Sequence, residues 1–76
     1  MVTQRTIGRV GSLVNILGTD LSGATSVTFN GIPATFLVVS ATEIRTAVPA
    51  GATTGFVQVV TPDGTLSSNL IFRVKQ

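Results

Sequence analysis

Turn-forming residues interrupt this chain at short, near-regular intervals, and nothing else in the sequence limits its fold as strongly. Gly18 with Thr19-Asp20, then Asn30-Gly31, Ser40-Ala41-Thr42, Pro49-Ala50-Gly51-Ala52 and Pro62-Asp63-Gly64 mark the breaks, at a spacing of roughly 8–12 residues that suits strands joined by tight turns. Between the breaks, apolar residues recur at every second position, which puts them on one face of a pleated strand, and no helical period competes. Short alternating strands at this spacing are the pattern of a β-sandwich or barrel.

Ser12 to Leu17 reads as a strand with Val14 and Ile16 on one face and Leu13 and Leu17 on the other. Ala24 to Phe29 carries Val27 and Phe29 at period two and stops at Asn30-Gly31, the strongest short hairpin signal. The returning strand runs from Ile32 to Val39, with Ala34, Phe36 and Val38 on one face and Pro33 near its start marking an edge. Glu43 to Val48 places Ile44, Thr46 and Val48 together. Gly55 to Thr61 sets Val57 and Val59 against Phe56, Gln58 and Val60. Past the Pro62-Asp63-Gly64 turn, a final strand over Ser67 to Val74 puts Leu70, Phe72 and Val74 on one face and Asn69, Ile71 and Arg73 on the other. A weaker strand is expected over Thr3 to Val10.

Composition narrows the chemistry. The 76 residues contain no Cys, His, Trp or Tyr, which removes thiolate nucleophiles, imidazole bases, the usual zinc ligands and haem ligation. Thr (12), Gly (8) and Ser (6) with abundant Val favour strands and turns. Only three carboxylates, Asp20, Glu43 and Asp63, are present, far apart in sequence and two of them in turns, so neither a glycosidase pair nor a calcium cage is indicated. The serines have no His or apposed Lys to act as base. No catalytic residue, cofactor or metal is therefore expected. The formal charge of +2 is small for nucleic-acid binding, although Arg5, Arg9, Arg73 and Lys75 at the two ends of the chain are expected to share one end or edge of the domain. No run approaches the ~20 apolar residues of a membrane span, and no basic-then-apolar leader begins the chain. Met1 ahead of Val2-Thr3-Gln4 reads as an initiator placed on a segment cut from a longer protein.

Val10-Gly11-Ser12-Leu13-Val14-Asn15-Ile16-Leu17-Gly18-Thr19-Asp20-Leu21, Ala24-Thr25-Ser26-Val27-Thr28-Phe29-Asn30-Gly31, Ala34-Thr35-Phe36, Ile44 with Val48-Pro49-Ala50-Gly51, Gly55, Val57 to Val59 and Thr61-Pro62-Asp63-Gly64 follow one another in an order that resembles the IPT/TIG domain. This immunoglobulin-like module occurs in bacterial surface proteins, some glycan-processing enzymes, plexin-type receptors and Rel-type transcription factors. The resemblance implies an all-β, immunoglobulin-like β-sandwich of about seven short strands in two antiparallel sheets, forming a single domain over residues 1–76. Its core would hold Val14, Ile16, Val27, Phe29, Phe36, Ile44, Val57, Val59, Phe72 and Val74. It supplies no catalytic motif. It implies a structural or protein-interaction role, as a spacer or repeat unit of a larger bacterial cell-surface or secreted protein. The alternative it raises is a carbohydrate-binding accessory module, and that alternative lacks the exposed Trp or Tyr on which sugar rings stack.

Two departures from the family pattern bear on function. No Pro-rich first strand precedes Gly11, so a shorter or displaced first strand is expected, one that leaves part of a sheet edge open to pairing or strand exchange with another chain. Leu13, Leu17, Leu37, Val60 and Ile71 also fall on outward faces where polar residues are usual, in keeping with a mean hydropathy of +0.54. Burying five such side chains would contribute on the order of 5 kcal/mol or more before association costs. These five residues are therefore the candidate interface, toward an adjacent domain or a second copy in a homodimer, with a glycan as the alternative partner.

Overall fold

Short alternating strands fold here into two layers that share one core. The computed structural model describes residues 1–75, and Gln76, counted in the single domain expected over 1–76, lies outside the described residues. The described residues hold strands β1 (Val2–Thr3), β2 (Ile7–Arg9), β3 (Leu13–Leu17), β4 (Ser26–Phe29), β5 (Ile32–Ala34), β6 (Phe36–Ser40), β7 (Glu43–Ala47), β8 (Val57–Thr61), β9 (Gly64–Ser67) and β10 (Arg73–Lys75). One sheet has the order β1-β3-β7-β6 and the other β5-β4-β8-β9, each antiparallel throughout. The fold is an all-β sandwich. Its short dimensions of 19 and 18 Å match two sheets packed about 10 Å apart plus outward side chains.

The inward rows come from the predicted alternation. Val14 and Ile16 on β3 and Ile44 on β7 meet Val27 and Phe29 on β4 and Val57 and Val59 on β8, all at most 1% exposed. Phe29 and Phe72 close the centre edge to face, with ring centroids 5.2 Å apart and planes at 86°. Phe36 and Val74, expected in the core, are half-buried and pack against it. Leu21, Val48 and Ala52 complete it from loops and a strand end.

The Asn30-Gly31 hairpin forms as its sequence dictates. Phe29 pairs with Ile32 across a two-residue turn with φ of +49° at Asn30 and +85° at Gly31. Positive φ at both central residues is the type I′ turn, whose twist matches that of the flanking strands.

Three expected strands are divided. Ile32 to Val39 breaks at Thr35, where the chain leaves the second sheet as β5 and enters the first as β6. The buried Thr46 hydroxyl donates to the Thr35 carbonyl at 2.6 Å and satisfies the backbone at this corner. Thr3 to Val10 splits likewise. β1 pairs antiparallel with β3 through Val2↔Leu17 and Thr3↔Ile16, whereas β2 pairs parallel with β10 through Ile7↔Arg73 and Arg9↔Lys75. This terminal ribbon adds a parallel pair to the two antiparallel sheets.

The expected final strand, Ser67 to Val74, is the third. It ends early at β9, and Ser68 then turns its side chain into the protein. Ser68 Oγ accepts the Val57 N–H at 3.1 Å and donates to the Leu70 carbonyl at 2.8 Å. The alternation is lost there, so Leu70 points out at 57% exposure instead of joining Phe72 in the core. Phe72 regains the interior through a bridge to Gly55, with Phe72 N–H donating to the Gly55 carbonyl at 2.8 Å and Gly55 N–H to the Phe72 carbonyl at 3.1 Å.

Candidate interaction surface

The alternation that buries Val14, Ile16, Ile44 and Thr46 turns the intervening residues of the first sheet outward. On β3 these are Leu13, Asn15 and Leu17, and the register sets them beside Ala47, Arg45 and Glu43 of β7. On β6 Leu37 lies beside Arg45. On β1 Val2 lies beside Leu17. The outer face of this sheet is therefore apolar at its corners and polar along its middle, where Asn15 donates from Nδ2 to Gln4 Oε1 at 2.7 Å. Leu13 and Leu37 share the rim of a shallow depression floored by Arg45 and Ala47. Both are more than half exposed, at 65% and 62%.

All five candidate interface residues, Leu13, Leu17, Leu37, Val60 and Ile71, are exposed. The fold brings only three of them to one face. Leu13, Leu17 and Leu37 belong to the β1-β3-β7-β6 sheet, whereas Val60 sits on β8 of the opposite sheet between Ser26 and Thr65. Ile71 stands apart in the connection to β10. A period of two states that a residue points away from the core, but which outward residues become neighbours is decided by strand order.

Ile71 belongs to a separate apolar surface that the sequence reading did not anticipate. With Ile7, Leu70, Thr6, Thr54 and Arg73 it lines an open groove of about 650 Å³ beside the terminal ribbon. Leu70 enters it because Ser68 interrupts the last strand, and Ile7 because β2 pairs with β10. The polar run Ser67-Ser68-Asn69 is the one sequence signal for that interruption.

The ribbon also gathers charge as expected. Arg9 lies directly opposite Lys75, and Arg73 is two residues along on the same strand face. Arg5 is exposed in the preceding loop. The carboxylates sit elsewhere. Asp20 takes φ of +58° in the loop after β3, Glu43 begins β7, and the Asp63 N–H donates to Thr61 Oγ1 at 3.3 Å in the β8–β9 turn. Among aromatic side chains, Phe29 and Phe72 are buried and Phe36 half-buried, so Phe56 stands alone at the surface.

A direct check on the outward assignment is the double substitution Leu13→Thr with Leu17→Thr. Both side chains leave the core untouched and Thr suits a pleated strand, so the unfolding free energy is expected to shift by less than ~1 kcal/mol. Urea denaturation followed by circular dichroism measures it. A loss of several kcal/mol would place these leucines in the interior and overturn the assignment.

The search of curated proteins returns no match to this chain. The family model described as the IPT/TIG domain matches residues 3–74, and with its immunoglobulin-like sandwich the chain belongs to the IPT/TIG domain family.

Proposed function

We propose that the chain is a non-catalytic structural and protein-interaction module, a spacer or repeat unit of a larger bacterial cell-surface or secreted protein. It works by burying outward apolar side chains against a neighbouring domain or a second copy. The observation that carries this reading is the set of exposed apolar side chains on the outer side of the first sheet, Leu13, Leu17, Leu37, Val2 and Val39, which frame Asn15 and Arg45. Singly exposed hydrophobes are ordinary on protein surfaces, whereas several on one sheet face mark a contact surface. Family membership supports the same reading, since an immunoglobulin-like module acts through its surfaces.

Joining two copies head to tail tests it. A tandem protein whose units bury apolar surface against each other is expected to melt several degrees above the single unit, because each unit then stabilises its neighbour. Leu13→Thr with Leu17→Thr in both units is expected to remove most of that gain. Equal melting temperatures for tandem and single chains would sink the adjacent-domain form of the proposal.

A further inference from the structure

Every open sheet offers edges, and the edges of this sandwich are not equally protected. β1 covers only Val2–Thr3, and β5 carries the exposed Pro33 at its centre, which cannot donate to an added strand. β9 is the short, mostly polar run Gly64-Thr65-Leu66-Ser67. The terminal ribbon is lined by Arg9, Arg73 and Lys75. β6 differs from all of these. It is five residues long, Phe36-Leu37-Val38-Val39-Ser40, with no charge, no proline and no glycine. Among the described residues its only backbone ladder is with β7, so its outer side presents free N–H and C=O groups. Its one irregularity is a bulge at Val39, where the register with β7 shifts between Val38 and Ser40. The bulge leaves both Leu37 and Val39 exposed.

We infer that the β6 edge is a seam for a second copy of this chain, the two edges pairing antiparallel about a two-fold axis at Val38. This rests on the reading of the chain as an interaction module and names the surface and the partner. Register and charge select the axis. Centred on Val38, the pairing sets Leu37 of each copy against Val39 of the other, an apolar cross-strand pair formed twice. On β7, Arg45 lies beside Leu37, and Glu43 lies beside Ser40 next to the Val39 bulge. Each row across the seam therefore runs from Arg45 of one copy through the apolar pair to Glu43 of the other, with opposite signs at its ends. Centred on Leu37, the same edges would put Arg45 of both copies on one row and bring Val39 opposite Thr35. Centred on Val39, they would set Leu37 against Ala41 and run the strand off its end. A second copy in the Val38 register thus suits the edge in its apolar pairing and in the signs of the charges beside it.

A seam of one short strand buries less than a standard interface, so weak and reversible association is expected. Light scattering on the full chain, from the highest soluble concentration downward, is expected to show a dimer that dissociates on dilution and persists in high salt. Leu37→Lys with Val39→Lys adds the charged side chains that blunt natural edges and is expected to weaken the dimer roughly tenfold or more, while at a dilution where the wild type is monomeric it still unfolds cooperatively, its melting temperature lowered by no more than a few degrees by the added charge beside Arg45. In Val38→Cys the axis brings the two thiols face to face in a chain with no other cysteine, so mild oxidation is expected to yield a covalent dimer. A dimer that survives the double lysine substitution overturns the seam and leaves the sheet faces to account for association. A wild-type dimer whose Val38→Cys variant does not crosslink overturns the Val38 axis. A chain that stays monomeric throughout overturns the second copy as occupant and leaves the edge to a strand of another protein, while the tandem comparison still judges the interaction role by itself.

Discussion

Phe72→Ala is expected to lower the stability of this protein by about 3–5 kcal/mol, the largest loss from any single truncation of its core. Phe72 is 1% exposed, meets Phe29 edge to face, and pins the chain entering β10 to Gly55 by two backbone hydrogen bonds. Truncating a buried Phe costs about 3–5 kcal/mol, the sum of lost transfer energy and the cavity left behind. A domain of this length has a total stability of roughly 4–11 kcal/mol at 0.05–0.15 kcal/mol per residue, so the loss takes from about a quarter to all of it. The cavity cannot readily collapse, because Gly8 packs so near the Phe72 ring tip that even an added Cβ there would lie 3.2 Å from it, and Phe29 fills the other side. Urea denaturation followed by circular dichroism is the measurement. Phe72→Leu, which refills part of the volume, should retain a cooperative transition at a lower midpoint, and a Phe72→Ala midpoint within experimental scatter of wild type would remove Phe72 from the centre of the core.

Ser68→Ala is expected to cost about 1–3 kcal/mol, although it deletes a single oxygen. Ser68 is 4% exposed, and its hydroxyl stands between the Val57 N–H and the Leu70 carbonyl. Its own N–H donates to the Val57 carbonyl at 2.8 Å, so side chain and backbone together prolong the β8–β9 ladder past the end of β9. Alanine keeps the backbone bond and orphans the buried Val57 N–H, and an unsatisfied buried donor costs more than the bond was worth. Ser67→Ala is the matched control. Ser67 is exposed and its hydroxyl accepts only from Gln58 Nε2 at 3.2 Å, so its loss should shift stability by less than ~0.5 kcal/mol. Native-state hydrogen exchange localises the effect. The Val57 amide should exchange faster in Ser68→Ala than in Ser67→Ala, and equal protection in the two would show that the hydroxyl does not hold that amide.

The exposure of most of the candidate residues could be read from alternation alone. Leu13, Leu17, Leu37 and Val60 are exposed because a residue between inward positions on an extended strand must point away from the core, whereas Ile71 is exposed in the irregular connection to β10, where alternation no longer holds. Their grouping could not be read. Leu13 and Leu37, 24 positions apart in the numbering, border one depression only because β7 lies between β3 and β6. Leu70 departs from the alternation for the complementary reason: a side chain, Ser68, substitutes for backbone in the ladder, and a period of two does not register that.

Thr35 shows where sequence reading reaches its limit. The apolar period continues through Ala34, Phe36 and Val38 without a break, yet the chain changes sheets between the first two. Both layers of a sandwich face the same core, so a strand crossing from one to the other keeps its inward residues inward and leaves no mark on the pattern. Leu21 and Ala52 escaped for a similar reason, since loop residues that fold back over an open end of the sandwich have no period to betray them.

Local chemistry by itself determined the all-β class, the type I′ turn at Asn30-Gly31, the inward rows on β3, β4, β7 and β8, and the absence of the side chains that most enzymes use, because each depends on residues within a few positions of one another. Strand order, the sheet change at Thr35, the parallel ribbon of β2 and β10 and the exposed apolar edge of β6 depend on pairings between distant segments. Those are chosen by the burial of one shared core, and only the tertiary structure decided them.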